Sequence, residues 1–146
     1  MREIKFRGKK IDNKEWVYGG YFQHTEEDCV IHYIFTFENG AIPVDKNTIC
    51  QFTGIKDQKG IEIYDGDIVK YKEWQNNSDE LAFKTNYIVC FEQLKWILKH
   101  TSGRYQVTVQ QQSGLDSQSL NNDGCKARNF KIIGYVNDNP ELLSTI

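Results

Sequence analysis

The chain has 146 residues, 39% hydrophobic and 13% aromatic, and 18 Lys and Arg stand against 20 Asp and Glu for a formal net charge of −2. That length suits one domain, or one domain with a smaller appendage. The charge excludes a global field that would gather nucleic acid or an anionic membrane, and no apolar run is long enough to span a bilayer.

The N-terminus is charged from Arg2 and lacks the apolar core of a secretory signal, so a cytoplasmic location is expected. Cys29, Cys50, Cys90 and Cys125 include no C-x-x-C pair, and four reduced thiols are the simplest state in that compartment.

In chain order, residues 2–10 read as a strand, with Ile4 and Phe6 on an apolar face opposite Lys5, Arg7 and Lys9. Asp12-Asn13 signals a turn into a second strand that carries Trp16, Tyr18, Tyr21 and Phe22, and the two should pair as an antiparallel hairpin. Gly19-Gly20 inside that strand suggests a bulge, a bend or close approach of another backbone. His24–Asp28 reads as a polar, acidic loop and Cys29–Phe37 as a buried strand. Glu38-Asn39-Gly40 should turn the chain, because Asn-Gly suits a type I′ hairpin turn. Pro43 confines Ala41–Val44 to an edge strand or loop. A soft boundary falls near Asp45-Lys46-Asn47.

Thr48–Phe52 reads as a short strand. Two turns follow. At Lys56–Gly60, Asp57 can bond the backbone two residues on and Gly60 can take positive φ. Tyr64-Asp65-Gly66-Asp67 then feeds a strand at Asp67–Trp74. Gln75–Glu80 reads as a loop, and further strands are expected at Ala82–Glu92, Trp96–Leu98, Arg104–Gln110 and Phe130–Val136. Gln110–Asn129 is polar and offers little apolar area against its ordering entropy, so a mobile loop is expected over 110–129. Asn139 as N-cap and Pro140 at the first position predict a short C-terminal helix. Strands joined by short turns with no βαβ rhythm indicate a mainly antiparallel all-β fold.

Gln51-Phe52-Thr53-Gly54-Ile55-Lys56-Asp57 and Gly60-Ile61-Glu62-Ile63-Tyr64-Asp65-Gly66-Asp67-Ile68-Val69 resemble the signature of the YopX-like proteins of phages and prophages. Met1–Gly8, Glu15–Tyr21 and Phe130–Val136 with Asn139–Leu143 resemble the family's start, second strand and end. The resemblance implies an N-terminal β region, taken here as 1–47, joined to an SH3-like barrel over 48–138, with the helix at 139–146. It implies no reaction and no catalytic residues.

The residues by themselves carry little chemistry. Asp65 and Asp67 around Gly66 have the look of paired carboxylates, but the EF-hand's further ligands are missing. Turn chemistry accounts for them, as it does for Gly54 and Gly60. Cys29 and His32 have half the spacing of a zinc site, yet residues three apart on a strand point to opposite faces. No metal or cofactor is therefore expected. An enzyme would need two or more of Asp65, Asp67, His24, His32, His100 and Cys50 in one cleft.

Lys5, Arg7 and Lys9, with Trp16 on the paired strand, form a basic and aromatic group that could contact single-stranded nucleic acid. The aromatic hairpin cannot bury both faces within its own domain, which points to a homo-oligomer. The expectation is a non-enzymatic phage or prophage accessory protein, a binding or assembly module. Its expected partners are a second copy or a phage or host protein, with no membrane. The alternative is a nucleic-acid-binding module.

Overall fold

A computed structural model describes residues 3–75, 78–92, 95–100, 106–108 and 130–143, which form eleven strands and two single 3-10 turns. The chain divides into two compact units, Met1–Gly54 and Ile55–Ile146. The strand ladders registered among the described residues are antiparallel. The all-β expectation therefore holds.

In the first unit the strands are β1 (Phe6–Lys9), β2 (Trp16–Glu26), β3 (Cys29–Thr36), β4 (Gly40–Pro43) and the start of β5 (Cys50–Lys56). Their order in the sheet is β4-β3-β2-β1-β5. Asp12 and Asn13 make the expected first turn: Asp12 Oδ1 accepts from Asn13 N–H at 2.6 Å, and Asn13 Oδ1 from Glu15 N–H at 3.1 Å. Alternation then sets the faces. Phe6, Val17, Tyr21, Ile34, Ile42 and Val44 share one small core. Ile4 was expected there too, but it is exposed, because it lies before Phe6, where the β1 ladder begins.

The hairpin β2–β3 is longer than its composition suggested. His24–Glu26 continue β2, so the expected acidic loop shrinks to the two residues Glu27 and Asp28, at φ 41° and 72°. Positive φ at both central positions is the type I′ pattern, which suits the twist of the flanking strands. The Asn-Gly pair does not adopt it. Thr36 pairs with Gly40 across Phe37-Glu38-Asn39, Asn39 N–H donates to Thr36 Oγ1 at 3.0 Å, and only Gly40 has positive φ, at 69°. Three residues between the paired ends require the longer turn, which puts the glycine alone in the left-handed region. Pro43 does sit on the edge strand β4.

The second unit begins within β5, beside β6 (Glu62–Tyr64), a strand not anticipated from the sequence. It continues with β7 (Asp67–Gln75), β8 (Ser78–Glu92), β9 (Lys95–His100), β10 (Gln106–Thr108) and β11 (Phe130–Tyr135), in the order β10-β9-β8-β7-β11. Its core gathers Ile55, Ile63, Val69, Tyr87, Val89, Trp96, Leu98 and Phe130. Ser78–Glu80, expected in a loop, instead open β8, with Ser78 paired to Gln75. The five strands form an open order among the described residues, and the SH3-like closure is not among their ladders. The loop expected over 110–129 lies outside the described residues.

Two turns organise this unit, and both rest on aspartates. Asp57 Oδ1 accepts from Lys59 N–H at 2.8 Å and Ile61 N–H at 3.0 Å, the local bond expected of an Asx turn. Gln58 N–H donates to Phe130 O at 3.0 Å, which ties the turn to β11. Asp67 is 1% exposed, and its Oδ2 accepts from Tyr64 N–H at 2.8 Å. Gly66 stands at φ 78° under Tyr135, whose ring would lie 2.8 Å from an added Cβ. The chain closes in a 3-10 turn, Pro140–Leu143. Asn139 is not a simple N-cap: its Oδ1 accepts from Tyr135 N–H at 3.3 Å, reaching back to the strand.

Candidate interaction surface

The face of β2–β3 opposite the first unit's core is the least usual surface in the described residues. Period-two alternation puts Trp16, Tyr18, Gly20, Phe22, His24 and Glu26 on it from β2, and Tyr33 and Phe35 from β3. Tyr18, Phe22 and Phe35 are 45%, 41% and 48% exposed, and Phe37 is fully exposed. Phe22 stacks on Tyr33 with centroids 5.1 Å apart, and Phe37 packs edge-on to Phe35 at 6.3 Å. Leaving such rings half in water forfeits on the order of 1 kcal/mol each. A cluster of them marks an interaction surface, where scattered single residues would not.

The glycine pair in β2 has two separate explanations. A Cβ on Gly19 would lie 2.0 Å from Phe35 O, so Gly19 lets the two strands approach. Gly20 points to the aromatic face, where a Cβ would meet nothing within 4 Å. It leaves a notch between Tyr18 and Phe22.

The basic group lies along the β1 side of this surface. Lys9 pairs with Trp16 and Arg7 with Tyr18. The Arg7 guanidinium lies over the Trp16 ring, 4.3 Å from its centroid, and Lys9 Nζ is 5.2 Å away. The structure thus brings Arg7, Lys9 and Trp16 together, with Lys5 next along β1. Arg7 is 7% exposed, so it reads more as packing against the indole than as a group presented to a phosphate.

The residues considered for catalysis are engaged separately. His32 Nδ1 lies 2.8 Å from Tyr21 Oη, with the two rings stacked. His24 Nε2 is 3.9 Å from Glu26 Oε1. Cys50 is buried, and its thiol donates to Thr48 O at 3.2 Å. Cys29 is exposed at the hairpin tip. The side chain of His100 lies outside the described residues. Among the described residues no three of His, Cys, Asp and Glu converge as a metal site would require. An open depression of about 350 Å³ is lined by Ile11, Lys14, Val30, His32, Val44 and Lys46. Lys14 there faces Asp45, at 3.9 Å. No helix of the described residues is long and apolar enough to cross a membrane.

The described residues form antiparallel β-structure with an exposed aromatic surface on the β2–β3 pair. The family model described as YopX protein matches residues 5–144, and the chain belongs to that family. No curated protein matches it. Among solved structures it is similar to the crystal structure of protein EF1440 from Enterococcus faecalis, at 19% identity over 99% of this chain and 100% of that one, with a TM-score of 0.46.

Proposed function

We propose that this protein is a non-enzymatic binding or assembly module of a phage or prophage, acting in the bacterial cytoplasm, with the aromatic face of β2–β3 as its working surface. One observation carries the reading: Tyr18, Phe22, Phe35 and Phe37 are exposed together on one strand pair. Separate engagement of His24, His32, Cys50 and Asp67 supports the non-enzymatic part. A photo-reactive phenylalanine analogue at position 35, in cells, tests the proposal. It should give a discrete adduct, while the same probe at the exposed Ile61 should not. Equal labelling from both positions, or none from 35, would refute it.

A second reading rests on the basic flank. Lys5 and Lys9 run beside the exposed Tyr18, an arrangement suited to phosphate contact and base stacking. Salt-dependent retention of single-stranded DNA or RNA, lost on Lys5→Ala with Lys9→Ala, would favour it. Arg7 is left out of that variant because it is buried.

A further inference from the structure

We infer that the aromatic face docks on a second copy of itself, about a twofold axis that lies in the interface and crosses the strands at the level of the Tyr21–Ile34 pair. The inference rests on reading this face as the working surface. It draws on two observations besides exposure.

The first is the charge order along β2. On the docking face the residues run Trp16, Tyr18, Gly20, Phe22, His24, Glu26, from the base of the hairpin to its tip. Lys9 flanks the base, in register with Trp16. Glu26 and the turn residues Glu27 and Asp28 make the tip acidic. The face is therefore basic at one end, apolar in the middle and acidic at the other end. Two such faces can meet in two ways. Tip on tip brings the acidic turns together and is repulsive. Tip on base sets each Glu26 against the Lys9 end of the other copy. A twofold axis across the strands produces the second arrangement, and twofold dimers are the commonest oligomers.

The second observation is Gly20. Glycine inside a strand costs about 0.5–1 kcal/mol relative to alanine. Gly19 offsets that cost by letting Phe35 O approach, but Gly20 has no left-handed φ and no neighbour that a Cβ would strike. Nothing within the described chain accounts for it. The axis does. Midway between Trp16 and Glu26 lies Tyr21, so Gly20 and Phe22 are equidistant from the axis and exchange places in the two copies. Each Phe22 ring then comes over the notch left by the other copy's Gly20. Tyr18 meets His24, and Tyr33 lies over Phe35. Stacked sheets sit roughly 10 Å apart, and the Gly20 notch gives the facing Phe22 ring room between them.

Sedimentation equilibrium of the full chain tests this. A monomer–dimer equilibrium is expected. Gly20→Val should weaken it by about tenfold or more while the unfolding midpoint stays the same or rises, because the added side chain meets open space within the chain. Glu26→Lys and Lys9→Glu should each weaken it, and the double variant should recover most of the loss. A monomer at every concentration, an undisturbed dimer in Gly20→Val, or no recovery in the double variant would overturn the inference. A discrete adduct from position 35 to some other molecule, with the chain monomeric, would refute self-docking and leave the binding-module reading in place.

Discussion

In the second unit Tyr64, Tyr87, Trp96 and Phe130 are buried, whereas in the first Tyr18, Phe22, Phe35 and Phe37 face solvent. Both units use antiparallel strands with aromatic residues at alternate positions. They differ in the layer that opposes the aromatic face. Among the described residues, one cluster of the second unit gathers Ile55, Ile63, Val69, Tyr87, Val89, Trp96, Leu98 and Phe130, while one of the first gathers Val17, Ile34 and Val44 with partly buried neighbours. An aromatic residue stabilises a fold only when something covers it, at roughly 25 cal/mol for each Å² removed from water. The contrast separates four rings that stabilise the second unit from four in the first that stay exposed.

The largest effect should come from the core of the second unit. Phe130→Ala removes a ring that is 1% exposed and should cost about 3–5 kcal/mol in chemical denaturation. Phe35→Ala in the first unit should cost under about 1 kcal/mol by the same measurement. Comparable losses would erase the contrast. The next effect separates the two glycines. Gly19→Ala drives a Cβ against Phe35 O and must open the β2–β3 ladder, for a loss of about 2 kcal/mol or more. Hydrogen exchange should show that loss first in the amides of β2 and β3.

A smaller change of opposite sign is expected at the hairpin tip. Glu27 and Asp28 occupy left-handed backbone, which Asn and Gly tolerate better. Glu27→Asn with Asp28→Gly should stabilise the hairpin by about 1 kcal/mol, read from the thermal midpoint. The same double variant removes two acidic charges from the tip and should also weaken self-association.

The smallest effect concerns Glu15, beside the first turn. Hydrogen bonds from Lys10 Nζ at 3.1 Å and from Asn13 Nδ2 at 2.8 Å hold its carboxyl below the ordinary carboxylate value. The ionised form is favoured in the fold, so its contribution is present above the unfolded-state pKa and lost as pH falls through the folded one. The gap in stability between the native chain and Glu15→Gln should be widest near neutrality and close as pH falls below the ordinary carboxylate value. A gap that widens in acid would contradict the assignment.

Much of this architecture was legible in the sequence. The aromatic run at Trp16–Phe22 marked the second strand, Pro43 marked the edge, and Asp57 with Gly60 marked a turn whose hydrogen bonds form as the residue types suggest. Three features were not legible. Glu62–Tyr64 is too short for its period to register. The I′ turn falls on Glu27-Asp28, where composition gives no signal, because the length of the β2–β3 ladder sets the turn position. An uncovered face of the aromatic hairpin was expected, but which residues would lie on it was not, since Phe22 and Val17 look equally suited to a core.

The residues alone determined that the chain folds as antiparallel β-structure and which side chains share a strand face. Those properties follow from backbone sterics and from a side-chain period of two, both local. Only the tertiary structure decided which face acquires a covering layer, because that depends on where distant strands run. It left Phe22 and Phe35 uncovered, buried Arg7 against Trp16, and gave Gly19 a reason that Gly20 lacks.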